Sequence, residues 1–236
     1  MASSAIVEHP YYPRDIVIPN YAPSGWSVEA LFGVFGAAVV LVIAVSWIFT
    51  RSCRHMSTLE RAIFSWWAVT GAIHLVLEGS FVAFEDLMSS TSHAFLLDAW
   101  KEYSKADSRY ATRDGCVLAV EAVTAFIEGP ACFLILYAMA TRRSYSSILQ
   151  FAVSLGQLYG DVIYFATSFL EGSKHCHPDP LYYWGYFIGM NAIWIVVPLA
   201  ILCRCWGEIT RAVRTASAAS GGAMNGAVKS RRAKRE

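Results

Sequence analysis

Five stretches of this chain are long and apolar enough to cross the hydrocarbon core of a bilayer, which takes about 20 mainly apolar residues in helical form. They run over about Val28–Ile48, Ala62–Phe84, Cys116–Ala140, Ile148–Leu170 and Leu181–Trp206. Trp26, Trp47, Trp66, Tyr145, Tyr182 and Trp206 fall near their ends, where amphipathic rings prefer the membrane–water interface. Only 16% of the 236 residues are charged, against about 25% in soluble domains, while 56% are hydrophobic. The pattern predicts an all-α membrane protein, a bundle of five transmembrane helices. An N-terminal segment (1–27), one transmembrane domain (28–206) and a basic tail (207–236) make up the chain.

A net charge of +1 gives no basic field for nucleic acid. The six cysteines form no CxxC or paired zinc spacing, so neither a disulfide framework nor a structural zinc is expected. His175-Cys176-His177 has ligand-type residues, but beside Pro178 and Pro180 it reads better as a polar loop than as a metal site. The first residues lack a basic start followed by an apolar run, so the first span is expected to double as the targeting signal.

Basic residues in the connections set an orientation. Arg14, Lys101, Lys105, Arg109, Arg113 and Lys174 lie on one side. Arg51, Arg54, Arg61, Arg142, Arg143 and the basic residues of the tail lie on the other, with about twice the positive charge. The more positive side is expected in the cytoplasm, with the N-terminus lumenal and the C-terminus cytoplasmic. The Ser/Ala/Gly-rich stretch from Thr215 to Val228, followed by KSRRAKRE, predicts a disordered tail whose basic end suits anionic headgroups.

The spans carry ionisable residues: His74 and Glu78 in the second, Glu121 and Glu128 in the third, Asp161 in the fourth. Each costs about 2.5–3.5 kcal/mol at a helix centre facing lipid, so they should face the bundle interior, and a functional reading is the default. His74 and Glu78, four apart, share a helix face and can pass a proton between imidazole and carboxylate. Glu121, Thr124 and Glu128 also share a face, and a desolvated glutamate there suits acid–base work. Glu128 precedes Gly129-Pro130, where it either does chemistry or supports a kink. Gln150, Gln157, Asp161 and Tyr164 line one face of the fourth span. Asp161 and Tyr164, with Glu128, are read as a supporting polar network more than as chemistry. Gly156 and Gly160 form a GxxxG spacing that permits close helix approach. In the fifth span Trp184, Phe187, Asn191 and Trp194 form a stripe. Such a stripe packs helices or walls a large apolar pocket, where an indole face would stabilise a cation.

Taken together and in order, HLVLEGSFV, WKEYSKADSRY, AVEAVTAF before a Gly-Pro step, GQLYGDVIYF, and PLYYWGYF followed by MNAIWIVVP resemble the emopamil-binding protein family, the 3β-hydroxysteroid Δ8–Δ7 sterol isomerases. The resemblance covers roughly residues 55–203, with an echo in HPYYPRD near the N-terminus. It implies a five-helix protein of the endoplasmic reticulum membrane with an intramembrane sterol-binding cavity. The implied reaction moves the sterol B-ring double bond from C8=C9 to C7=C8, without redox cofactor or metal. By motif, His74 and Glu78 resemble the catalytic pair and Glu121 a second acid. Thr124, Asn191 and Trp194 match positions that bind substrate or stabilise the cation. The family also takes up cationic amphiphilic amines, which would mimic the cationic intermediate. The sequence leaves the oligomeric state open between monomer and homodimer. A non-catalytic sterol- or amine-binding protein of the same superfamily and a small proton-coupled transporter are the competing readings. Against the latter stand five spans without an inverted repeat.

Overall fold

The computed structural model describes residues 8–233, with side chains described through Ser220. Within that range the chain is helical and has no strand beyond one isolated bridge between Asp107 and Cys176. Contiguous helical segments give α1 (Val28–Thr50), α2 (Thr58–Ala83), α3 (Phe95–Tyr103), α4 (Gly115–Ala140), α5 (Ser146–Leu170) and α6, which begins at Leu181 and runs through Ala233. The all-helical architecture follows the sequence expectation.

Local chemistry sets the starts. Ser27 caps α1 by accepting from Ala30 N. Ser57 and Glu60 form a reciprocal capping box on α2. The Asp114 carboxylate accepts from the N–H groups of Cys116 and Val117 at the head of α4. At the other end of α2, the Arg113 guanidinium donates to the carbonyls of Phe81, Val82 and Phe84, at 2.6, 3.2 and 3.0 Å, where the helix leaves them without partners.

Four helices among the described residues are long and apolar enough to cross a membrane: Val28–Thr50, Thr58–Ala83, Gly115–Ala140 and Leu181–Ser220. The fifth expected span, α5, is 25 residues long but more polar. Its polar residues face inward: Gln150, Ser154, Gln157, Asp161 and Ser168 are all buried. Conversely, Val40, Leu41, Val45 and Ile48 of α1 are exposed, an apolar surface of the kind lipid accepts.

Three π-helical stretches interrupt the regular geometry: Ile73–Glu78 in α2, Thr124–Glu128 in α4, and Leu181–Met190 at the start of α6. Their i→i+5 bonding fits one more residue into a turn. In α4 the cause is local. Pro130 has no N–H for the Phe126 carbonyl, so the turn before it opens. The sequence pointed to a disturbance only at the Gly129-Pro130 step; at the other two places the spans read as continuous helix.

The π turns of α2 and α4 divide the bundle. On the side of the N-terminal segment, one core packs Tyr11, Phe81, Leu97, Trp100, Tyr110, Val117, Tyr164 and Phe187. On the other side, a second core packs Ile63, Phe64, Trp67, Cys132, Ile135, Val153, Ile201 and Cys205. Each of α2, α4, α5 and α6 contributes to both cores, and His74, Glu78, Glu121, Glu128 and Asp161 fall between them.

α6 continues as helix into the stretch for which composition predicted disorder. Ala216, Ala218 and Ala219 have the highest helix propensity of any residue type, which favours that continuation. The last basic residues of the expected tail, from Lys234 on, lie outside the described residues, as do residues 1–7 of the expected N-terminal segment.

Candidate active site

α2 and α4 approach closely where their π turns meet. A Cβ on Gly129 would stand 3.3 Å from both His74 Cβ and Leu75 N, and one on Gly71 would stand 2.9 Å from Cys132 Cβ. This contact brings His74, Glu78, Glu121 and Thr124 into one cluster. His74 is buried, and its Nδ1 lies 2.7 Å from Glu78 Oε2. The Thr124 hydroxyl donates to the same Glu78 oxygen and also lies 3.0 Å from the Glu121 carbonyl. Gln157 of α5 reaches the far edge of the imidazole, with its Nε2 3.0 Å from His74 Nε2. The Trp194 indole of α6 lies beside the same imidazole, with ring centroids 5.0 Å apart, and against Trp66 at 5.3 Å.

Glu121 is held from above. Tyr110 donates to its Oε1 at 2.7 Å, while its Oε2 is buried without a partner. Asn191 donates through Nδ2 to the Phe187 carbonyl at 2.7 Å and to the Tyr103 hydroxyl at 3.0 Å. Tyr103 and Tyr110 come from α3 and the loop after it, which dock onto the bundle through Trp100. The Trp100 indole N–H donates to the Leu77 carbonyl at 2.9 Å, and its ring stacks on Tyr110 at 5.2 Å. Burial pushes both phenols above their ordinary range, so each stays protonated and keeps its donor.

These groups face a cavity of about 690 Å³. His74, Glu78, Glu121, Thr124, Asn191 and Trp194 all line it, together with Gln157, Asp161, Tyr164, Tyr103 and Tyr110. The remaining wall is mostly apolar, including Leu31, Phe35, Val39 and Ile43 from α1. No lysine or arginine lines it among the described residues, whereas Glu78, Glu102, Glu121 and Asp161 do. The cavity is therefore electrostatically suited to a lipophilic molecule that carries or develops positive charge.

Glu128, Asp161 and Tyr164, expected as a supporting network, do not hydrogen-bond to one another. Glu128 Oε2, Asp161 Oδ2 and the Tyr164 hydroxyl have no partner among the described residues. The reason is direction. Asp161 opens into the cavity, and Tyr164 lies under the Arg109 guanidinium, 4.6 Å from its ring centroid. Glu128 turns outside the lining, with its carboxyl against Gly156 in the space a Cβ would fill. The GxxxG pair thus faces α4, Gly156 on Glu128 and Gly160 on Val120. Near the loop end, His175 Nδ1 pairs with Ser108 Oγ at 3.0 Å, Cys176 with Ser168, and the His177 ring packs on Tyr182. Among the described residues no three His, Cys, Asp or Glu side chains gather as a metal set.

Sequence reasoning passed over Tyr103, Tyr110 and the contact between Gln157 and His74. The two tyrosines sit in WKEYSKADSRY, whose aromatics were visible, but periodicity says nothing about a loop folding back onto the bundle. Gln157 was placed on a polar face without its partner.

Residues 95–205 match the family described as EXPERA (EXPanded EBP superfamily). The chain is 40% identical over 209 residues to the probable 3-beta-hydroxysteroid-Delta(8),Delta(7)-isomerase of Arabidopsis thaliana, covering 89% of this chain and 92% of that one. It is 38% identical over 218 residues to the 3-beta-hydroxysteroid-Delta(8),Delta(7)-isomerase of Rattus norvegicus, covering 90% and 93%. It is also 41% identical over 184 residues to isomeliandiol synthase of Melia azedarach, covering 78% and 86%. With near-full-length similarity of this extent and the ordered motifs on the cavity wall, the chain belongs to the emopamil-binding protein family.

Proposed function

We propose that the cavity isomerises a 3β-hydroxysterol, moving its B-ring double bond from C8=C9 to C7=C8. One observation carries the reading. An imidazole–carboxylate pair, His74 and Glu78, with Thr124 donating to Glu78, and a second carboxylate, Glu121, face the same apolar cavity. A double-bond shift of this kind needs one proton delivered and another removed within a single lipophilic pocket. A volume near 690 Å³ lies within the usual range of small-molecule sites.

In this reading the His74–Glu78 pair delivers a proton to C9. The π electrons of C8=C9 form the new C9–H bond, and a cation develops at C8. Loss of a proton from C7 returns the electron pair as C7=C8, with Glu121 balancing the cation and assisting the relay. The substrate gains one proton at C9 and loses another at C7, so the reaction is redox-neutral and requires no electron acceptor. Trp194 offers its indole face to the cation, an interaction worth about 2 kcal/mol when desolvated. Asn191, fixed by Tyr103 and the Phe187 carbonyl, orients the relay. Cationic amphiphilic amines would occupy the same place as mimics of the intermediate.

The same reading takes α5 as the fifth span, its polar face turned inward. It sets the N-terminus in the lumen of the endoplasmic reticulum and the tail in the cytoplasm, and leaves room for a homodimer. Relatives named isomeliandiol synthase and protoglabretal synthase favour a second reading, in which a similar cavity serves another substrate. Sterol profiling of isomerase-deficient cells tests both. The wild type is expected to yield Δ7 sterols, and Glu78→Gln and Glu121→Gln to form them far more slowly. Wild-type turnover in both variants would overturn the assignment, and absence of Δ7 sterol with the wild type would favour a binder or another substrate.

A further inference from the structure

Both nitrogens of the His74 imidazole are occupied. Nδ1 faces Glu78 Oε2 at 2.7 Å and Nε2 faces Gln157 Nε2 at 3.0 Å. The ring is buried, so no nitrogen remains for a substrate carbon. Any proton His74 controls must pass through Glu78. Of the two Glu78 oxygens, Oε2 is held by His74 and Thr124, while Oε1 makes no hydrogen bond among the described residues, and the residue lines the cavity.

We propose that Gln157 is a positioning residue whose side-chain amide sets how many protons the His74–Glu78 pair holds. The proposal rests on the isomerase reading given above. An amide nitrogen can only donate and an amide oxygen can only accept. With its nitrogen toward His74, Gln157 requires a lone pair on Nε2. The pair then shares one proton, held between Nδ1 and Glu78. With the amide turned over, its oxygen requires N–H at Nε2. A second proton then lies between Nδ1 and Glu78 or on the carboxyl. The two amide orientations therefore match the pair before and after it has delivered a proton to C9.

The surroundings permit the turn. Gln157 Oε1 has no partner, so reversal breaks only the bond to His74, and the side chain borders the cavity, where there is room. The proton balance closes over the reaction. Glu78 releases one proton to C9, and one proton leaves C7 for Glu121. Its return to the pair restores the two-proton state and turns the amide back.

The test compares Gln157→Met, which keeps the length and has no hydrogen bond, with Gln157→Glu, which keeps an oxygen acceptor for Nε2–H. Turnover of a Δ8-3β-hydroxysterol is measured in membranes of cells lacking their own isomerase, and binding of dimethyldodecylamine reports on the cavity. For Gln157→Met, kcat should fall about 10- to 100-fold with KM within about twofold, the effect of losing a hydrogen bond to a group that becomes charged. For Gln157→Glu, whose carboxylate accepts from Nε2–H but cannot donate to an Nε2 lone pair, the pair is held in its two-proton state and kcat should fall further than in Gln157→Met, while both variants should keep the amine. Wild-type kcat in Gln157→Met, a loss in Gln157→Glu no greater than in Gln157→Met, or loss of amine binding along with turnover would overturn the proposal. A wild type that makes no Δ7 product would instead overturn the isomerase reading on which it rests.

Discussion

Removing one oxygen atom tests how Glu121 is held. Tyr110→Phe deletes the hydroxyl that donates to Glu121 Oε1 at 2.7 Å. The ring contacts stay: Trp100 at 5.2 Å, Phe81 at 5.3 Å and Tyr103 at 5.1 Å between centroids. Because Oε2 already lacks a partner, the substitution leaves the buried carboxyl with none among the described residues. A hydrogen bond to a charged group contributes about 1.5–3 kcal/mol, and tenfold in rate is 1.36 kcal/mol, so the expected fall in kcat is roughly 10- to 150-fold. The assay is conversion of a Δ8-3β-hydroxysterol to its Δ7 isomer in membranes normalised for the amount of folded protein. If Tyr110 acts only through Glu121, the Tyr110→Phe, Glu121→Gln double variant is no slower than Glu121→Gln alone. Wild-type kcat in Tyr110→Phe, or additive losses in the double variant, would refute the argument.

Gly71→Ala should lower the thermal midpoint in detergent, because its Cβ would meet Cys132 Cβ at 2.9 Å and force α2 from α4, a cost of about 1–3 kcal/mol. Gly36→Ala, with nothing within 4 Å on α1, is the control and should leave the midpoint unchanged or slightly raised. Arg113→Gln removes donors from three carbonyls at the end of α2 and should cost about 1–3 kcal/mol, read from the same melts. A lipophilic tertiary amine should bind the Glu78→Gln, Glu121→Gln double variant at least tenfold more weakly than wild type, and equal binding would refute mimicry of a cationic intermediate.

The helices were legible because lipid imposes a length and an apolar composition that few other patterns meet. Most of the cluster was legible for the same reason, since charge inside a span is conspicuous. Three things were hidden. The inward polar face of α5 was legible from Gln150, Gln157 and Asp161 on one face, but not the contact of Gln157 with His74. The π turns leave little mark in the residues apart from Pro130, because they are a matter of backbone register. The partners of Glu121 and Asn191, Tyr110 and Tyr103, come from a loop whose return to the bundle depends on tertiary packing around Trp100. Glu128, Asp161 and Tyr164 make no bonds to one another, because Glu128 turns toward Gly156 while Asp161 opens into the cavity.

The π turns make the phase of each helix a working part of the protein. One extra residue in a turn rotates everything beyond it by about 100°. On α2 this lets Trp67 join one core and Phe81 the other, with His74 and Glu78 at the change-over. The polar layer is thus a seam at which α2 and α4 change their inward-facing sides. Each core packs on its own side of the seam, and Trp100, Tyr110, Tyr164 and Tyr186 of the first core also wall the cavity. The count of residues in those turns matters as much as their identity: the deletion of one lipid-facing residue there would turn half a helix away from its neighbours while every acidic group remained in the chain.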